Sequence, residues 1–227
     1  DEGVRDPGFP GNKGGQINAN VTRLLDNGYF RVHGRYLNDQ NVFYLPIPLQ
    51  NPDDPEGISG FDPNYGTMTT RDAGLIRVPS PDGQGRVSRD LTQGMNPVLG
   101  SLQAELFFEL DNGVTIENKS MAMQADVTFN AVFSTSNPFD AVTYAEELAT
   151  DVGASDYSYG YAYDDATFNP ANANGNGLVA EAGWWHVDKP LSNFANDFRV
   201  NYTAGDHALS GGVYLSTYRA EELWHWN

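Results

Sequence analysis

The sequence predicts an all-β chain: an antiparallel, up-and-down section of a transmembrane β-barrel, about six strands in three hairpins with two long extracellular loops. Three observations predict it. Segments of about ten residues alternate apolar and polar side chains, the period of an extended strand with one greasy side. These segments come in pairs joined by tight turns at Asp26-Asn27-Gly28, Asp111-Asn112-Gly113 and Ala204-Gly205-Asp206. Between the pairs the chain runs on for about 60 residues. Short turns alternating with long loops are the habit of outer-membrane barrels, whereas soluble sandwiches connect their strands briefly at both ends.

The elements follow in order. Residues 1–15, rich in Gly, Pro and charge, read as the tail of a loop. In the first hairpin, residues 16–38, Ile17, Ala19 and Val21 alternate with Asn18, Asn20 and Thr22, and Phe30, Val32 and Tyr36 with Arg31, His33 and Arg35. The loop 39–95 carries apolar anchors at Phe43, Tyr44, Leu45, Ile47, Phe61 and Tyr65 that predict an ordered segment. Within it a short hairpin is expected near residues 74–87, turned at Ser80-Pro81-Asp82-Gly83. In the central hairpin, 99–134, Leu102, Ala104, Leu106 and Phe108 alternate with Gln103, Glu105, Phe107 and Glu109. Its turn uses Asn and Gly, which tolerate positive φ. Beyond the turn the apolar phase shifts from Val114 and Ile116 to Ala125, Val127, Phe129, Ala131 and Phe133, which predicts a bulge or an exit from the membrane near residues 118–126.

In the loop 135–193, Ser136 is a candidate N-cap for a helix through Asp140–Leu148 that ends before Gly153. Tyr157, Tyr159, Tyr161 and Tyr163 then alternate with small residues, a turn-rich spacer covers 172–177, and GWWHVDKP leads into the last hairpin, 194–220. There Phe198, Val200, Tyr202, Leu209, Val213 and Leu215 form the apolar side, and Trp224, His225 and Trp226 follow.

Composition narrows the function. A net charge of −17 with no basic run excludes nucleic acid as a partner. The chain has no cysteine, so neither a disulfide framework nor a thiolate metal site exists in it. No apolar run approaches the ~20 residues of a membrane helix, and the opening residues DEGVRDPGFP carry neither the basic region nor the apolar core of a signal peptide, as expected of a trimmed chain or an internal section. A mean hydropathy of −0.48 is compatible with a barrel, in which only alternate strand residues face lipid. The four histidines are scattered without a carboxylate cage, so no metal or cofactor is expected. Acidic pairs such as Glu146-Glu147 read as solvated loop charges, and with no nucleophile or phosphate-loop motif the chain is not expected to be an enzyme.

Two groups of side chains are candidates for ligand contact. Arg31, His33 and Arg35 are expected to lie across the sheet from Glu105 and Glu109, as a polar channel wall or as a structural ladder. Tyr157, Tyr159, Tyr161 and Tyr163 offer ring faces with polar tips on which a sugar or another flat ligand could stack, or a strand packing on its neighbour. Trp184 and Trp185 are further candidates for substrate contact; together with Trp224 and Trp226 they read equally as an interfacial aromatic girdle.

The segments DGQGRV, FYLPIPLQNP, GFDPNYGTMTTRD, LDNGVTIENKS and GLVAEAGWWHVDKPLSNFANDFR resemble the barrel region of TonB-dependent outer-membrane receptors, in a branch common in sphingomonad-like bacteria. The resemblance covers nearly the whole chain and is more specific in the loops than in the strands. It implies a 22-stranded barrel closed by an N-terminal plug in the outer membrane of a Gram-negative bacterium. It also implies contact with outer-membrane lipid and lipopolysaccharide, and uptake of a small-molecule nutrient driven through TonB, ExbB and ExbD. The TonB box, the plug and a terminal strand ending in an aromatic are missing from these residues, so they are expected to be an internal section of a larger receptor. The competing expectation is a soluble or surface-attached β-sandwich that binds carbohydrate. Leu102, Leu106, Phe108, Val200 and Val213 separate the two: lipid-facing residues form an open band, whereas those of a sandwich lie under a second sheet.

Overall fold

The computed structural model describes residues 4–226 except 45, 46, 52, 135–136 and 162–165. Six long strands form one antiparallel sheet: β1 (Asn12–Leu25), β2 (Gly28–Asn41), β3 (Met95–Glu109), β4 (Val114–Ser134), β5 (Ala182–Ala204) and β6 (His207–Ala220). Each pairs with the next in sequence, and a short strand β7 (Leu223–Trp226) extends β6 along β5. The strands are longer at the loop ends than the alternation predicted. GWWHVDKP belongs to β5 rather than to the preceding loop.

All three tight turns lie at one end of the sheet and both long loops at the other, as a consecutive meander requires. The two Asp-Asn-Gly turns work differently. At 111–113 the backbone amide of Leu110 donates to Val114 and Gly113 takes φ +80°, the left-handed conformation that favours glycine. At 26–28 no residue has positive φ; Gly28 is already paired with Leu25, and a Cβ there would sit 1.9 Å from the carbonyl oxygen of Phe107. One glycine serves the turn and the other the neighbouring strand.

Register divides the sheet into two faces. Val21, Val32, Ala104 and Ser120 lie in one row, and Ile116, Val200, Phe108 and Gly28 in another, so one face carries the apolar set of every strand. That face is open. None of Leu102, Leu106, Phe108, Val200 and Val213 is buried, and among the described residues the other sheets are two-stranded ladders within the loops. A polar knot interrupts the face, where Asn196 donates to Asn118 Oδ1 (3.0 Å) and Ser120 Oγ (2.7 Å).

The phase shift along β4 is not a bulge. Its pairing with β3 is unbroken from Thr115 to Phe129, and with β5 from Val114 to Ser134. The apolar residues change face near Gln124 because the surroundings change: above it, both faces are covered by loops. On one face Val132 and Trp184 form a core with Ala73, Val78 and Leu91 of the first loop. On the other, Phe43 meets Phe129 edge-on at 5.2 Å, and Trp185 lies between Phe129 and Phe133.

Pro190 sets the break between β6 and β7. Its carbonyl accepts from Glu221 N (3.1 Å), so its nitrogen, which has no hydrogen to donate, faces the same neighbour, and the ladder is interrupted there before resuming at Asp188↔Leu223.

The loops are structured. The first holds the expected hairpin, Ile76–Pro79 against Arg86–Arg89, closed by Gly83 N to Ser80 O at 2.9 Å. Its core consists of Val78, Leu91, Ala73 and Thr69, whereas Tyr65, an expected anchor, is exposed and Leu45 lies outside the described residues. The second holds helix α1 (Ala141–Asp151). Its cap is Asp140 rather than Ser136, which is outside the described residues: Asp140 accepts from Thr143 N at 2.9 Å. That bond, with the Thr143 hydroxyl, holds the Asp140 carboxyl below its usual range.

Candidate functional site: a polar face and a cavity between the loops

The side chains opposite the apolar face form a charged ladder. Arg31 stands directly across from Glu105, and Glu105 from Lys119. Both cations reach the one carboxylate at 3.2 Å, and Arg31 Nε also donates to Thr22 Oγ1 at 2.9 Å. Farther across the sheet Arg199 grips Asp197 through two nitrogens at 3.0 and 2.7 Å, and Asn201 donates to Thr115 and Glu117. Between Arg31, His33, Asn20, Gln103 and Glu105 the face dips into a groove of about 290 Å³.

The expected opposition of three basic residues to two acids holds in one pair. His33 faces Gln103, Arg35 faces Ser101 and bonds Gln16 at 2.9 Å, and Glu109 lies at the turn end, where its amide donates to Asn27 O. Strand adjacency was correct, but register, which the loop hides, placed Glu109 too low to meet a cation. Lys119, Asp197 and Arg199 complete the face. The odd-numbered alternation that marks Glu105 contains them and would have found them.

The second site is a cavity of about 610 Å³ where the two long loops meet above the sheet. The first loop contributes Ile58, Phe61, Asp62, Met68 and Asp72, the second Tyr161, Phe168, Asn174, Asn176 and Leu178, and the strand ends Val132 and Ala182. Asn176 ties the loops together by donating to Ser59 O at 3.2 Å. Arg5 of the N-terminal segment supports the wall at 61–66 by donating to Gly66 O and Pro63 O. Of these residues the sequence pattern marks Tyr161, through the alternating tyrosine run, as a ligand candidate; nothing in it brings the two loops together.

The tyrosine run is divided between packing and the cavity. Tyr159 is committed to the loop: its hydroxyl donates to Ala141 O at 2.9 Å, its ring lies against Phe168, and burial pushes its pKa up. Tyr161 stacks on Phe168 with centroids 4.6 Å apart and reaches the cavity. Tyr157 is exposed beside them, and Tyr163 lies outside the described residues. Tyr144, which was not singled out in the sequence, donates to Glu181, and that bond to a carboxylate pushes its hydroxyl up to about 12.

Trp184 is buried under the first loop at 7% exposure, so its ring is withdrawn from ligand; its edge neighbour is His225 at 4.6 Å. Trp185 packs on the opposite face near the exposed Trp224 and Trp226. A buried polar group sits beside Trp184: His186 Nδ1 lies 2.7 Å from Asn130 Oδ1 and Nε2 lies 2.9 Å from Asp188. His225 Nδ1 and Arg89 Nε are buried there without a hydrogen-bond partner. Among the described residues no group of three metal-ligating side chains converges.

No family model, curated protein or solved structure matches the chain.

Proposed function

We propose that the chain is a wall section of a TonB-dependent outer-membrane receptor, a transporter that captures a scarce nutrient at its loops and admits it along its polar face. One observation carries the reading: four of the six long strands, β1, β2, β3 and β6, contain no buried residue, yet Ile17, Val21, Phe30, Val32, Leu102, Leu106, Phe108, Leu209, Val213 and Leu215 share one face. In water such a sheet would pay the chain entropy of its ordered residues with almost no burial to offset it. Hydrocarbon as the solvent of that face removes the deficit, because apolar side chains there need no protein cover.

On this reading the polar ladder from Arg31 to Arg199 lines the barrel interior, and the free edges of β1 and β6 pair with further strands. An unpaired backbone group in lipid costs several kcal/mol, so open edges are not tolerated at that depth. The cavity between the loops stands at the outer mouth and holds the ligand first. Withdrawal of a plug, powered by TonB, ExbB and ExbD, then opens the path beside the ladder. No covalent chemistry is assigned to any residue.

Spin labels test the reading in the full-length protein in outer membranes. Labels at Leu102 and Val213 are expected to be accessible to oxygen and shielded from a water-soluble nickel chelate, and labels at Gln103 and Tyr214 the reverse. Equal chelate access at all four positions would remove the barrel and with it the transporter.

A further inference from the structure

We infer that the cavity between the loops selects its ligand by charge, accepting a neutral or cationic molecule with a flat apolar body and rejecting anions of the same size; this rests on the receptor reading above. The cavity has the volume of a small-molecule site, a few hundred Å³, with apolar and polar groups mixed in its walls. Ile58, Met68, Val132 and Leu178 supply apolar surface, and Tyr161, stacked on Phe168, supplies an aromatic face.

The ionised groups of the described lining all carry one sign. Asp6, Asp62 and Asp72 border the space, with no Lys, Arg or His among the lining residues. Gly8 N donates to Asp6 at 2.8 Å, Asn64 N to Asp62 at 2.8 Å and Thr70 Oγ1 to Asp72 at 3.3 Å. Arg5, behind the wall, donates to the carbonyls of Gly66 and Pro63 and keeps its positive charge, which offsets one of the three carboxylates. An anion entering here meets a lining whose charged side chains are acidic, with Arg5 behind the wall, in a partly enclosed space where Coulomb energies are larger than in open water. A cation or a neutral ring gains the aromatic face without that penalty.

These residues contain no cysteine, so a thiol introduced by Met68→Cys, with any cysteine elsewhere in the full-length protein replaced by serine, reports the potential inside the cavity. In the full-length protein, a cationic trimethylammonium-ethyl methanethiosulfonate is expected to modify it about tenfold faster than the anionic sulfonatoethyl reagent, relative to their ratio with 2-mercaptoethanol; tenfold corresponds to about 1.4 kcal/mol. Replacing Asp6, Asp62 and Asp72 with Asn should return that ratio to the reference. Ligand class is read by protection of the same thiol, followed by mass spectrometry: N-phenyl-1-naphthylamine is expected to protect, and its sulfonate, 8-anilinonaphthalene-1-sulfonate, not to. Equal protection by both dyes, protection by neither, or a reagent ratio equal to the reference overturns the inference. A selective cavity in a protein whose spin labels show no lipid-facing side would instead defeat the receptor reading and leave the charge selection standing.

Discussion

β4 and β5 pass through two environments, and the same two strands are held together in opposite ways in each. Below Gln124 their side chains sort into an open apolar face and a charged face, and no residue of either strand is buried. Above it Ala125, Asn130, Ala131, Val132, Trp184, His186 and Val187 are buried, because loops cover both faces. The upper part is built like a water-soluble domain with its own core, whereas the lower part holds together by its backbone ladder and by whatever solvent its apolar face meets. A substitution should therefore act by cavity and burial rules above and by transfer rules below.

The largest effect is expected in the upper core. Trp184→Ala removes the largest ring packed among Val78, Leu91 and Val132, and truncating a buried aromatic costs about 3–5 kcal/mol. Hydrogen exchange is expected to accelerate over 76–89, and trypsin to cut at Arg86, while β1 to β3 remain protected. Unchanged exchange in that hairpin would mean that its docking does not depend on this core.

Leu106→Arg tests the lower part. At the midplane of a bilayer an arginine on the lipid face costs roughly 2–4 kcal/mol, whereas Gln103→Arg, on the opposite face, should fall within about 0.5 kcal/mol of the parent. Folding of the full-length protein into lipid vesicles under urea measures both. Equal costs at the two positions would erase the distinction between the faces.

The contrast between the two levels also explains what could be read in the sequence. Below Gln124 the alternation is the structure: Val21, Val32, Leu106 and Phe198 follow a period of two, and the turn residues stand where the chain reverses. The hairpin at 76–89 was legible for the same reason, through Ser80-Pro81-Asp82-Gly83. Above Gln124 the pattern fails, since a strand covered on both faces has no polar side to alternate with. The phase shift was visible but its cause lay in Val78, Leu91 and Phe43, tens of residues away in sequence. Trp184 and Trp185 illustrate the limit: adjacent residues on opposite faces, the first buried under a loop and the second half-buried between Phe129 and Phe133, which composition alone assigns to a girdle or a ligand. Of the cavity only Tyr161 was legible, through the tyrosine run, because Ile58, Met68 and Leu178 become its neighbours only through tertiary contacts.

A smaller effect concerns pH. His225 sits at the junction of β7, β5 and the 76–89 hairpin, and its pKa is lowered by burial first, then by Arg89 and by His186 across the strand pair. Asp188, bonded to His186, is the nearby carboxylate, and the carbonyl of Pro79 opposes the shift. A histidine whose folded pKa is depressed contributes stability that is complete above the unfolded value of about 6.5 and is lost as pH falls through the lower folded value. Protection factors at residues 223–226 and 77–88, which divide out the intrinsic slowing of amide exchange in acid, should therefore fall as pH drops from about 7.5 to about 5.5, and His225→Phe should abolish that fall. The lower sheet, where the ion pairs are open to water, should be indifferent over this range. A uniform response would mean that acid loosens the whole molecule and not this junction.

The smallest effect is expected where the polar face looks most organised. Glu105 holds Arg31 and Lys119 at 3.2 Å each, but the side chains of the two cations are 44% and 59% exposed. Exposed cross-strand pairs contribute roughly 0.2–1 kcal/mol each, so Glu105→Gln should cost no more than about 1 kcal/mol in total, less at high salt, where screening weakens both pairs. The substitution nevertheless changes the groove beside His33 and Gln103 from a balanced to a cationic surface. Stability and transport are thereby separated: a mild, salt-sensitive loss of stability with a clear change in the charge preference of uptake marks the ladder as the lining of a path. A loss of several kcal/mol that salt does not diminish would mean that Glu105 is shielded from water, as it would be if this face were packed against another layer of protein instead of open to an aqueous interior.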